Sequence, residues 1–158
     1  MNDPNNRILW MLIAVFIPLR LLANMLDGMV AVDSGKLSSV GELFNEVPDR
    51  VSDVLIFVSA GYAYGSSPPL GYIAAILALF IPYLRALGNS MDVTQLFIGP
   101  MAKSHRMFTL AGICLYYAVA PVTWQISNPM TWALIVIGLG GVITSIRRLQ
   151  KIVLTVNG

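Results

Sequence analysis

The sequence predicts an all-α, polytopic integral membrane bundle with five spans. Three observations carry this prediction. Hydrophobic residues make up 56% of the chain and charged residues 11%. Mean hydropathy is +0.72, and the apolar residues fall into helix-length runs separated by short polar stretches. Such a composition lies outside the range of soluble domains. A chain of 158 residues that crosses a membrane several times has no room for a large extramembrane domain, so residues 1–158 form a single transmembrane domain with short loops.

The first apolar segment, Ile8 to Leu26, spans ~28 Å as a helix, enough for a hydrocarbon core. It is too long for a cleavable signal, and its polar MNDPNNR start lacks the basic flank such a signal needs. Pro18 kinks it. Arg20 either snorkels to the interface or pairs with carboxylates further along. A loop from Met29 to Val40 has turn composition at Asp33, Ser34, Gly35 and Lys36. A second helix resumes at Gly41 or Glu42, bends at Pro48, and continues to Tyr64 through small residues suited to close packing. Ser66 to Pro69 read as a tight turn. The third span is Leu70 to Leu87, with Arg85 near its end. The loop Gly88 to Arg106 follows, then spans at Met107–Val122 and Thr131–Ile146. Trp124 and Trp132 sit at interfacial levels, and the chain closes on the basic tail RRLQK.

Charge distribution orients the bundle. With five alternating spans, nine of the ten basic residues fall on one side, only Arg7 lying opposite. By the positive-inside rule that side is cytoplasmic, in the cell (inner) membrane. Seven of the eight acids share it, Asp3 excepted. The net charge of +2 and the absence of long basic runs give no nucleic-acid partner. The lone cysteine, Cys114, excludes an intrachain disulfide and reads as a small buried hydrophobe. His105 reads as a loop residue, with no second His or Cys to complete a transition-metal set.

The chemistry-bearing stretch is Asn24 to Asp53, which gathers the dense group of carboxylates where one apolar segment ends and the next begins. On a helix, Asn24 and Asp27 share a face. On the next helix Gly41, Asn45, Asp49 and Asp53 recur every fourth residue, so Asn45, Asp49 and Asp53 form a stripe. Oxygen-only sets of carboxylates and carboxamides suit hard divalent cations. Clustered carboxylates near lipid repel unless protonated or bridged by a cation, and a metal is the simpler remedy.

Asn24, Asp27, Gly28, Ala31, Val32, then eight residues, then Gly41, Asn45 and Asp49 resemble the signature of the CDP-alcohol phosphatidyltransferases. That signature is D-x-x-D-G-x-x-A-R, a spacer, and G-x-x-x-D-x-x-x-D. Spacing agrees at every position. The identities differ at Asn24 and Asn45, where the family has Asp, and at Val32, where it has Arg. The resemblance implies transfer of a phosphatidyl group from a CDP-linked lipid to an alcohol acceptor, with release of CMP and dependence on two Mg²⁺ or Mn²⁺ ions. It implies metal ligation by Asn24, Asp27, Asn45 and Asp49, and nucleotide approach at Asp27, Gly28, Ala31 and Gly41. Asp49 would be the base for the acceptor hydroxyl. Glu46 and Asp53 are further candidate ligands that restore lost negative charge. Arg85, Lys103 and Arg106 resemble the family's phosphate and acceptor contacts. Arg50 either joins them or pairs with Glu46 or Asp53. The family also implies a homodimer and six spans, so the first span is either lost here or encoded upstream of Met1. An alternative reading of the altered signature is a catalytically weak relative that binds CDP-lipid or a cation as a partner subunit.

Overall fold

A computed structural model describes residues 6–33, 39–93, 96, 98–124 and 126–156; within its helices the side chains of residues 28, 30–33, 39–43, 45 and 122 fall outside the description. The chain is an all-α bundle of five helices: α1 (Arg7–Asp33), α2 (Ser39–Gly61), α3 (Pro68–Ser90), α4 (Lys103–Val119) and α5 (Pro129–Val156). A 3₁₀ turn at Val122–Trp124 precedes α5. By length and composition α1, α3 and α5 can each cross a membrane. At 27 and 28 residues, α1 and α5 run ~40 Å and overhang a ~30 Å hydrocarbon core.

Local chemistry explains the helix starts. Asn6 caps α1, its Oδ1 accepting from the Leu9 amide at 3.3 Å and its carbonyl from the Trp10 amide at 3.2 Å. Pro68 and Pro69, expected in a turn, instead open α3. A first helical turn has no use for their missing N–H groups, and their fixed φ is already helical. The loop expected from Met29 is shorter at both ends, because α1 continues to Asp33 and α2 begins at Ser39.

The bundle packs in the spatial order α1, α4, α5, α3, α2, with α2 lying along α3. The α2–α3 hairpin closes at backbone contact. A Cβ built on Gly71 would stand 2.6 Å from the Gly61 Cα, so two residues without side chains meet where the helices cross. The core gathers Trp10, Phe57, Leu110, Tyr117, Met130 and Leu134. Trp10 stacks on Tyr117 at 4.5 Å, and the Tyr117 hydroxyl donates to the Tyr64 carbonyl at 3.1 Å. Outward faces carry large apolar side chains such as Ile8, Phe16, Leu55, Ile76 and Leu139. In water that surface would drive aggregation; in a bilayer it faces lipid.

The α3–α4 loop is strapped to the C-terminal half of α5. Val93, Leu96 and Ile152 form a small separate core. The Met101 amide donates to Thr144 Oγ1 at 3.1 Å. Gly99, at φ +123°, leaves no room for a Cβ against Thr144, and only glycine adopts that backbone readily. The strap sets where α4 begins and so places Lys103 and Arg106.

Candidate functional site

Consecutive helices α1 and α2 meet at one polar junction rather than along a broad face. Arg20 and Asn24 stand one turn apart on α1, and Asp49 and Asp53 one turn apart on α2, the periodicity that aligns side chains on a helix face. Arg20 uses one guanidinium nitrogen on Asp53 Oδ1 at 3.1 Å. The other reaches Asp49 Oδ1 at 2.8 Å and the Asp49 carbonyl at 3.1 Å. Arg20 therefore pairs with the carboxylates and does not snorkel. The Asn24 amide also donates to Asp49 Oδ1, and the Lys103 ammonium to Asp49 Oδ2.

Asp53 is fully buried. Its Oδ2 has no hydrogen-bond partner among the described residues, while Arg50 and Lys103 each bring a nitrogen to 4.0 Å of the carboxylate. A carboxylate removed from water is tolerable only among such cations. Proline at position 48 cannot donate the backbone hydrogen bond that a helix interior expects, so α2 has a weakened turn beside Asp49.

Next to the carboxylates lies a cavity of about 460 Å³, whose lining includes Glu46, Arg50, Arg85, Lys103, Arg106 and Arg148. Five cations thus face one acid. Arg106 is 1% exposed, its guanidinium lies 5.7 Å from the centre of the Phe57 ring, and its Nε and one Nη have no hydrogen-bond partner among the described residues. Arg148 is anchored by donating to the carbonyls of Ile81 at 2.9 Å and Ile98 at 3.3 Å. A desolvated, convergent set of guanidinium groups is a place for an oxyanion, since Arg matches the geometry of phosphate oxygens.

Among the residues expected at the site, Asn24, Asp49 and Asp53 converge, and Arg50, Arg85, Lys103 and Arg106 share the neighbouring cavity. Glu46 is exposed, lines that cavity and is engaged by Arg50, with Nε at 2.8 Å. Asp27 lies one turn beyond Asn24, exposed, with no hydrogen bond or ion pair among the described residues. Gly28, Ala31, Val32, Gly41 and Asn45 lie on the helices, but their side chains lie outside the described residues, as does Lys36 altogether. Among the described residues no three His, Cys, Asp or Glu side chains group closely enough to hold a metal.

Arg148 is a site residue that sequence reasoning left in the basic tail. It is buried, and α5 runs through it to Val156. The signal was available in the helical spacing of Gly141, Thr144, Ser145, Arg148 and Ile152, all on the inner face of α5.

No family model matches the chain, and no solved structure matches it. The chain is similar to the inner membrane protein YnbA of Escherichia coli (strain K12), 26% identical over 149 residues, which is 93% of this chain and 72% of that protein. It is also similar to archaetidylinositol phosphate synthase of Aeropyrum pernix, 31% identical over 99 residues, covering 63% of this chain and half of that protein's length. The first similarity supports a membrane location. The second supports the family resemblance and, with it, a transferase of phospholipid synthesis.

Proposed function

We propose that the chain transfers a phosphatidyl group from a CDP-linked lipid to a phosphorylated alcohol and releases CMP, working at the cytoplasmic face of the membrane. The observation that carries this reading is the pairing of two features. Asp49 and Asp53 sit at a helix junction, and beside them Arg85, Arg106 and Arg148 line a cavity, Arg106 keeping two buried nitrogens without a hydrogen-bond partner among the described residues. One feature handles a hydroxyl proton, the other a phosphate.

The donor chemistry fits a hard divalent cation, Mg²⁺ or Mn²⁺. The Asn24 amide touches the Asp49 carboxylate, and Asp53 Oδ2 is a buried acceptor without a hydrogen-bond partner among the described residues. Asn24, Asp27, Asn45 and Asp49, joined by Asp53, would hold the ion, which when bound would neutralise the diphosphate as its bond breaks. Gly28, Ala31 and Gly41 would let the nucleotide approach. Arg85, Arg106 and Arg148 would fix the acceptor's phosphate, so that its hydroxyl meets the lipid-bearing phosphorus. Asp49 then takes the hydroxyl proton as the acceptor oxygen bonds to that phosphorus. The bond from the phosphorus to the bridging oxygen breaks, and CMP leaves with the electron pair.

The test is CMP release by purified protein in detergent or liposomes with Mg²⁺ or Mn²⁺, CDP-diacylglycerol and a panel of acceptors. Turnover with phosphorylated polyols such as glycerol phosphate or inositol phosphate, and none with their dephosphorylated forms, is expected. No CMP with any acceptor, where a related transferase works under the same conditions, would sink the reading.

A further inference from the structure

We propose that Lys103 is a two-position switch, seated on Asp49 when the cationic cavity is empty and on the bound oxyanion when it is filled, so that arrival of the anion unmasks Asp49. The inference rests on the proposed function, because it assigns the order in which that site becomes competent.

The argument begins with the lone pairs of Asp49. Its Oδ1 accepts from both Arg20 and Asn24, which occupies both acceptor positions of that oxygen. Its Oδ2 accepts from Lys103. A cation, or a proton from an acceptor hydroxyl, must therefore use Oδ2, where Lys103 takes one of the two acceptor positions and sets its positive charge against an incoming cation.

The two basic residues on Asp49 differ in how firmly they are held. Arg20 makes three hydrogen bonds in a planar fork, to the Asp53 carboxylate, the Asp49 carboxylate and the Asp49 carbonyl, so it stays. Lys103 is a point charge on a flexible four-carbon stem at the first residue of α4. Its ammonium makes one hydrogen bond and stands 4.0 Å from Asp53. The same side chain lines the cavity with Arg85, Arg106 and Arg148. A doubly charged oxyanion held there competes with Asp49 for an ammonium that belongs to both sites. Moving it removes a positive charge from the carboxylate just when the anion has supplied a negative one nearby. Both changes favour a divalent cation on Asp49, and by linkage the cation favours the anion equally.

Sulfate and Mn²⁺ serve as probes on the full chain in detergent, with three readouts. These are the thermal midpoint, Mn²⁺ affinity by electron paramagnetic resonance, and the NMR signal of ¹³C-dimethylated Lys103, the other two lysines, Lys36 and Lys151, being replaced by Arg. The expected result is a sulfate-raised midpoint, a displaced Lys103 signal, and Mn²⁺ binding tightened about tenfold, within the usual range of coupled sites. Lys103→Met should bind Mn²⁺ tightly without sulfate and respond to it less than about twofold, its coupling removed. A Lys103 signal that stays fixed while sulfate stabilises the protein overturns the switch and leaves the proposed function standing. So does undiminished coupling in Lys103→Met, which would assign the effect to attraction through space. Displacement of Lys103 without Mn²⁺ binding in any variant upholds the switch and removes the cation from the proposed site. Failure of both sulfate and Mn²⁺ to bind brings down the proposed function and this inference together.

Discussion

Arg20 of α1 donates to the fully buried Asp53 of α2 at 3.1 Å, and this bond, with its companion to Asp49, joins two consecutive helices that otherwise pack against different neighbours. The junction therefore holds α1 in place as well as setting the charge on the carboxylates. The two roles separate experimentally.

Arg20→Met should destabilise the protein by about 3 kcal/mol, the low end of the cost of stripping one partner from a buried ion pair, because Arg20 keeps some contact with solvent. The thermal midpoint in detergent measures this. Combining it with Asp53→Asn should recover most of the loss, since Asp53 then no longer leaves a carboxylate in the interior without its Arg20 partner. If the double variant is as unstable as Arg20→Met alone, the cost lies in lost packing rather than in an orphaned carboxylate.

Asp49→Asn should lower CMP release by a factor on the order of 10² to 10⁴, the usual contribution of a positioned base, with the fold intact. Asp92→Asn is the matched control. Its carboxylate is exposed and outside the cavity lining, so its loss should change the rate by no more than about threefold, as for a surface charge of small energetic worth. Equal losses in the two variants would contradict the assignment of the proton to Asp49.

Chelation should abolish turnover reversibly, with Mg²⁺ or Mn²⁺ restoring it, because the donors available are amide and carboxylate oxygens. Full activity after exhaustive treatment with EDTA would mean that Arg20 and Lys103 alone neutralise the reacting diphosphate.

Gly71→Ala should cost about 1–3 kcal/mol, as overpacking does in a filled interface, because its new methyl would stand 2.6 Å from the Gly61 Cα and 2.8 Å from the Phe57 carbonyl. Neither obstacle is a side chain that can rotate away. An unchanged midpoint would show that α2 and α3 part easily at the hairpin end.

How much of this was readable beforehand divides by range. The runs that became α1, α3 and α5, and the stripe carrying Asp49 and Asp53, are local features of period and composition. Arg20 left two readings open, since only the approach of α2 decides whether a guanidinium near a span's end finds water or a carboxylate. Pro68 and Pro69 were read as a turn because the same residues suit a turn and a first helical turn. Arg148 is hidden in the sequence because RRLQK reads as a basic tail until the α3–α4 loop is folded over α5. Its partners, the carbonyls of Ile81 and Ile98, are distant in sequence and carry no side-chain signature.

Arg106→Met offers the sharpest division between holding the fold and serving the site. The guanidinium is buried with two nitrogens lacking hydrogen-bond partners among the described residues, an arrangement that costs stability in the absence of a ligand. Methionine keeps part of the volume and the contact with Phe57 while removing the buried charge, so the midpoint should stay level or rise, as when a buried ionic group gives way to an apolar one. At the same time the KM for a phosphorylated acceptor should rise by a factor on the order of 10² or more, the equivalent of losing a charge-assisted contact worth about 3 kcal/mol. Stability and function then move in opposite directions, as expected where a site is strained for its ligand. A variant that loses stability while keeping its KM would make Arg106 a structural residue of α4 and leave the cavity without its proposed anion.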